Sequence, residues 1–300
     1  MARSKHRKSR DPSFRDIKKE EYFPVQRKFQ LGAITTGPYV DPIKFLSVPR
    51  SLSEVNSRLY RNSYMYTCQL SLDNNAPAGV YEVYVLQNTW NVTKAFQAGL
   101  AAYNTAVAEE RAEILKGQGA RWQDFTPVNG LTSEKIGSFL GNNSLVSTAR
   151  DDGQHLDTVI YDEAGVAKTF SWSPFTTASR YSLMQEYDQM GQTDVDPQTT
   201  EAAGYVGLLA DSEAGNVTNL QGQGNQPPYS NPAFAQNIWV KVATLVNNST
   251  GSQRLSTGFF EAPCGYVWVK APDAAFPDGF MSCEVKAGKF KGVHALSMGA

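Results

Sequence analysis

Histidine and cysteine are scarce in this chain, with three of each among 300 residues. General acid–base chemistry usually draws on histidine or on paired carboxylates in a pocket, and His6, His155 and His294 are far apart in the sequence. There is no G-x-S-x-G elbow, no H-E-x-x-H, no P-loop and no G-x-G-x-x-G between a strand and a helix. No enzymatic activity is expected. Cys68, Cys264 and Cys283 are odd in number and widely spaced, which fits neither a disulfide framework nor a zinc site. Buried free thiols in a reducing compartment are expected instead. No apolar run approaches the length of about 18 residues that a membrane-crossing helix needs. The first residues lack the apolar stretch of a secretory signal. No internal repeat is visible, which argues against a solenoid or propeller.

Acidic residues are missing from the first ten positions, MARSKHRKSR, where five of the ten are Arg or Lys. The whole chain nevertheless carries a formal charge of −1. Residues 1–28 hold ten basic and four acidic side chains, a net +6, so the remainder stands at −7. A cationic arm on a mildly anionic body is the signature of an interaction tail. Residues 1–13 contain no aromatic or β-branched residue, and such a segment buries too little surface to offset the entropy of ordering it. The arm is therefore expected to be largely disordered when free. Arg3, Lys5, Arg7, Lys8, Arg10, Arg15, Lys18 and Lys19 are the candidate nucleic-acid-binding residues, acting on phosphates without reading bases. Neutralising about five phosphates of a single strand gives a log–log salt slope on the order of −3.5. A solvated terminus or a nuclear-localisation peptide would have a similar composition.

Residues 29–300 read as a β-rich body. The stretch 29–58 is punctuated by Pro and Gly and is expected to be extended, not helical. In RLYRNSYMYTCQLSL, Tyr64, Tyr66, Cys68, Leu70 and Leu72 alternate with smaller or polar residues. This is the period of a strand with one buried face. After DNNAPAG, VYEVYVLQ predicts a second strand, antiparallel to the first across that short connection. One segment breaks the pattern. Phe96, Leu100, Tyr103, Val107 and Ile114 fall near helical spacing, Asn91 or Thr93 can cap the start and Gly117 can stop the end. A single long amphipathic helix over about 92–116 is expected. Its Glu109, Glu110, Glu113, Arg111 and Lys116 fit a solvated face with local charge pairs.

Further on, HLDTVIYDEAGVAKTFSW predicts two strands around a DEAG turn, and SRYSLMQEYDQM a short helix. Residues 191–235 have the composition of long surface loops. The last third is strongly β: NIWVKVATLV, RLSTGFFEA, CGYVWVKA and MSCEVKAGKF. Many short strands separated by turn residues indicate an antiparallel sandwich or barrel. Asp151–Asp152 and Asp194/Asp196 offer oxygen ligands of the kind Ca²⁺ takes, although Asp in such loops more often simply makes turns. The five tryptophans, Trp90, Trp122, Trp172, Trp239 and Trp268, are candidate core or interface anchors, with the core favoured.

Within this frame, TWNVTKAFQAGLAAYNTAVAEERAEILKGQGARWQDF (Thr89–Phe125) resembles a segment of the coat proteins of circular single-stranded DNA viruses, especially the bacilladnavirus-like group. The positions that carry the likeness are Trp90, Lys94, Ala95, Phe96, Tyr103, Glu110, Arg111, Ala120, Arg121, Trp122, Asp124 and Phe125. FFEAPCGYVWVKAP near the end is similar to the closing strands of such coats. The resemblance implies a mainly β, single jelly-roll sandwich with an inserted helix and a basic arm. It implies a capsid protein whose many identical copies build an icosahedral shell, with the arm inside on a single-stranded genome. DNA as the packaged strand rests on the resemblance alone, since coats of RNA viruses share the layout. The implied location is the virion, with assembly in the host-cell nucleus. No cofactor is expected, apart from Ca²⁺ at subunit contacts as a minor option. The expected division is an arm over 1–28 and a capsid domain over 29–300, with a surface projection or long loops within 120–235. Two other readings fit the residues: a carbohydrate-binding or carbohydrate-cleaving β-sandwich, and a cellular nucleic-acid-binding protein with a nuclear-localisation tail.

Overall fold

The computed structural model describes residues 25–30, 43–72, 76, 78–113, 124–128, 158–161, 164–189, 238–248, 255–270 and 281–299. Their strands are β1 (Lys28–Gln30), β2 (Ile43–Ser47), β3 (Tyr64–Leu72), β4 (Gly79–Leu86), β5 (Val159–Tyr161), β6 (Ala167–Ser171), β7 (Arg180–Ser182), β8 (Trp239–Asn247), β9 (Leu255–Ser256), β10 (Phe260–Ala262), β11 (Tyr266–Lys270), β12 (Met281–Val285), β13 (Ala287–Phe290) and β14 (Ala295–Ser297). The helices are α1 (Val48–Val55), α2 (Trp90–Glu113) and α3 (Leu183–Gln189), and a single 3₁₀ turn spans Pro263–Gly265.

Two antiparallel sheets form the body. The first has the order β1-β12-β3-β10, with β9 and β14 also on β3, and the second has the order β2-β11-β4-β8. The pairings are nested. β1 pairs with β12, β2 with β11, β3 with β10 and β9, and β4 with β8. Early strands thus meet late strands in reverse order, and successive pairs fall in alternate sheets. The sheets face each other across one core. Phe29, Tyr66, Cys68, Leu70, Met281, Cys283 and Val285 come from the first sheet, and Leu46, Tyr81, Val83, Val85, Leu245, Val267 and Val269 from the second.

The second sheet is covered on its outer face too. In β4, Tyr81, Val83 and Val85 enter the inner core, while Tyr84 and Leu86 join a second apolar cluster. β11 divides the same way, Val267 and Val269 inward, Tyr266 and Trp268 outward. Both faces of these strands are buried, which is why YVWVK has no polar alternation. The cover is Val92, Ala95, Phe96 and Tyr103 of α2, Leu183 and Met184 of α3, and Phe125, Phe170 and Trp172. Phe170 lies on β6 of a small third sheet, β5-β6-β7, whose β5–β6 pair is antiparallel and β6–β7 pair parallel. Trp268 stacks on Tyr84 with ring centres 3.9 Å apart. The body is a mostly β, antiparallel sandwich with a third layer built from the connection between β4 and β8.

Several expectations are met. The long helix forms, and residues 92, 95, 96, 99 and 103 make its buried stripe. It begins at Trp90, since Thr89 is the cap, not Asn91 or Thr93: Thr89 Oγ1 accepts from Val92 N at 3.4 Å and Thr89 O from Thr93 N at 3.1 Å. Gly99 lets α3 approach, because a Cβ there would collide with Leu183. The DEAG hairpin and the short helix after it are present as β5–β6 and α3. All three cysteines are buried and free. Trp172, Trp239 and Trp268 are buried, whereas Trp90 is half-exposed and meets Tyr187 edge-on at 6.3 Å. Trp122 lies outside the described residues.

Two expectations are corrected. The stretch 29–58 is not wholly extended, because residues 48–55 form α1. Pro49, one of the prolines that punctuate the stretch, sits in the first turn, where a missing N–H costs nothing. Ser51 and Ser53 hydroxyls donate to the Ser47 and Pro49 carbonyls, Arg50 pairs with Glu54 at 2.9 Å, and Asn56 closes the end on the Leu52 carbonyl. The second correction concerns β3 and β4, which do not form a hairpin. β3 lies in the first sheet and β4 in the second. Each strand has one face on the shared core, so the chain passes from one sheet to the other between them instead of turning within a sheet. Asn247 Nδ2 ties it down by donating to the Ala76 carbonyl at 2.8 Å. No helix among the described residues is long and apolar enough to cross a membrane.

Candidate nucleic-acid interface

Arg3, Lys5, Arg7, Lys8, Arg10, Arg15, Lys18 and Lys19 all lie in residues 1–24, outside the described residues. Residues 25–28, the end of the expected arm, belong to the folded body. Phe29 is buried in the core, Lys28 pairs in register with Glu284, and the Arg27 carbonyl accepts from Val285 N at 2.9 Å. Just before the strand, Gln26 and Asn56 are joined twice. Gln26 N donates to Asn56 Oδ1 at 2.8 Å, and Asn56 Nδ2 donates to the Gln26 carbonyl at 2.9 Å. Val25 rests on Gly292, where a Cβ would come within 2.6 Å of its Cγ2. Residues 25 and 26, where the described body begins, therefore sit between two loops, one following α1 and one at residues 291–292.

Those two loops are basic and interleaved with aromatics. Lys291 has φ +50 and Gly292 φ +88, a left-handed pair that a lysine adopts only under constraint. The constraint is visible. Tyr60 Oη donates to the Lys291 carbonyl at 2.8 Å, and Lys291 Nζ donates to the Leu59 carbonyl at 2.5 Å. The ammonium also lies 5.2 Å from the Phe290 ring centre and 5.8 Å from that of Tyr60, within cation–π range. Phe290 stacks on Tyr64 at 3.9 Å. Partial burial pulls the Lys291 pKa below the usual lysine range, Arg61 and Arg58 push it the same way, and Asp124 partly opposes them. Asp124 Oδ1 is 3.9 Å from Arg61 Nε and accepts from Phe125 N at 3.0 Å. Burial raises this carboxyl above its ordinary range, against the pull of Arg61, the Phe125 N–H and Lys291.

Sequence reasoning placed its candidates in the arm and passed over Arg58, Arg61 and Lys291. A faint signal existed in RLYR and KFKG, basic residues alternating with aromatics. Tyr60 and Lys291 are 231 positions apart, and nothing local links the two loops. The remaining candidates separate as follows. His294 Nδ1 is 2.9 Å from Thr67 Oγ1 on β3, while His6, His155, Asp151, Asp152, Asp194 and Asp196 lie outside the described residues. Glu109, Glu110, Arg111 and Glu113 fall on the last turns of α2, with side chains outside the description. Among the described residues no group of three or more His, Cys, Asp or Glu could hold a metal ion. No protein-family model, curated protein or solved structure matches the chain.

Proposed function

We propose that this chain is a viral coat subunit. Its body would be a single jelly roll, many copies would close into an icosahedral shell, and the basic arm would hold a single-stranded genome inside. The observation that carries the reading is the nested strand pairing. Setting aside the short β9 and β14 on β3, the two sheets run β1-β12-β3-β10 and β2-β11-β4-β8; this order supports a reading in which a long antiparallel ribbon of eight strands is rolled up, a roll that recurs in viral capsid domains. It recurs in lectin domains too, so charge has to separate the two. The separation of +6 on residues 1–28 from −7 on the remainder suits a polyanion partner held by the arm and not a neutral glycan. The resemblance of Thr89–Phe125 and the closing strands to coats of circular single-stranded DNA viruses supports the same reading and makes DNA the proposed cargo.

Particles are the expected product of expressing the full chain, seen by electron microscopy. Finding only monomers and dimers across salt, pH and Ca²⁺ series would overturn the coat reading, and sugar binding by such a monomer would install the glycan alternative. Deleting residues 2–10 should lower the 260/280 nm absorbance ratio of purified particles without altering their melting temperature. An unchanged ratio would remove the arm from genome packaging.

A further inference from the structure

We propose that the folded body carries its own phosphate-binding site at the root of the arm, in which Arg58, Arg61 and Lys291 grip the backbone of the same single strand that the arm follows. This inference rests on the coat reading and extends it from the arm to a fixed surface.

Three observations place the site. First, position: the Gln26–Asn56 double hydrogen bond and the Val25–Gly292 contact seat residues 25 and 26 between the two loops that carry these cations. A strand held by the residues before Val25 would meet the body beside them. Second, preorganisation: the Lys291 ammonium is held by the Leu59 carbonyl and by two rings, on a backbone in the left-handed region. A lysine so placed loses little side-chain freedom when it meets an anion. Third, charge and chemistry: two guanidiniums act on that ammonium with the same sign, and one carboxylate, Asp124, acts with the opposite sign. Arg61 keeps its side chain half-exposed, and its Nε lies 3.9 Å from Asp124, beyond hydrogen-bond length. Its forked N–H groups suit the paired oxygens of a phosphodiester. A bound phosphate would offset the like-charge repulsion on the Lys291 ammonium. Nothing in this chemistry reads a base, so the site would position a strand without choosing its sequence.

The test uses the full chain at concentrations that keep it unassembled, with fluorescence anisotropy of labelled dT20 and, in parallel, rU20 across a NaCl series. Each lost phosphate contact on a single strand lowers the log–log salt slope by about 0.7, so Arg58→Gln/Arg61→Gln should reduce its magnitude by about 1.4. Arg58→Lys/Arg61→Lys keeps the charge and should keep the slope. Lys168→Gln/Lys270→Gln, which removes two cations elsewhere on the body, should leave it unchanged. Equal losses on dT20 and rU20 identify the phosphate backbone as the ligand. A loss confined to one of them would overturn backbone recognition. Wild-type binding with a slope that the Gln pair does not alter overturns the root site and leaves the coat reading standing, whereas no salt-dependent binding by the wild type removes both. A readout that needs no variant is photocrosslinking of 4-thiothymidine dT20 to the wild-type chain. Adducts are expected on peptides spanning 56–64 and 286–294, and adducts confined to residues 1–24 would refute the site.

Discussion

Asp124 stands where the third layer meets the loops at the arm's root, and its carboxyl is the residue through which pH should act there. Burial holds it above the ordinary carboxylate range, only partly countered by Arg61, the Phe125 N–H and Lys291. The folded state therefore holds this proton to a higher pH than the unfolded chain does. Above the unfolded-state pKa the native protein binds more protons than the unfolded chain, so this group lowers stability as pH rises, until it has ionised in the native state as well. Asp124→Asn keeps an acceptor for Phe125 N and removes the titration. Its stability relative to wild type should climb as pH increases from about 4 and then level off, measured as urea midpoints over a pH series. A constant difference would mean that Asp124 is not held above its usual range. The Cys68, Cys264 and Cys283 thiols belong to the same scale. They are fully enclosed, and burial moves Cys264 and Cys283 up, away from the reactive thiolate.

At the scale of elements, α2 does the covering of the second sheet. Phe96 is its centre. It is fully buried, meets Phe125 edge-on at 5.2 Å, and lies 6.4 Å from Trp172 in a near-parallel arrangement. Phe96→Ala should cost about 3–5 kcal/mol, read as a drop in the denaturation midpoint. The loss should be local before it is global, with hydrogen exchange rising first in residues 90–113 and later in β3 and β4. Uniform acceleration through both sheets would show that the third layer and the sandwich form one cooperative unit. The helix was legible in advance because its stripe repeats at 3.6 residues within a single segment. The β3–β4 hairpin was misread for the opposite reason. Two adjacent amphipathic strands with a turn between them satisfy a hairpin and an arch between sheets equally well, and only the facing sheet decides between the two. α1 was missed because Pro49 counts as a breaker until the helix start is known to fall at Val48.

For the whole molecule, the proposed coat function makes the number of arms acting on one polyanion the quantity that matters. A single subunit with about five arm contacts has a salt slope on the order of −3.5 and should bind dT20 weakly, releasing it as salt rises. On the proposed coat reading, a closed shell would gather many such arms onto one strand, and the assembled particle should keep its nucleic acid through a salt rise that strips the free subunit. Gradient centrifugation of both at matched salt, with nucleic acid followed at 260 nm, checks this. Particles that lose their cargo at the salt where subunits do would mean the arms do not cooperate.

What the sequence determined by itself was local or additive. It supplied the excess of basic charge on residues 1–28 and the alternation that marks β3, the period of α2, the strand runs of the last third and the burial of the thiols. Each follows from composition or from a repeat within a few turns of chain. Tertiary structure alone decided which strands share a sheet, that the β4–β8 connection supplies a third layer, and that Arg58, Arg61 and Lys291 stand together where the arm leaves. Those facts depend on partners distant in the chain, 231 positions apart for Tyr60 and Lys291. Side-chain periodicity says which face of an element is buried, but not what lies against it.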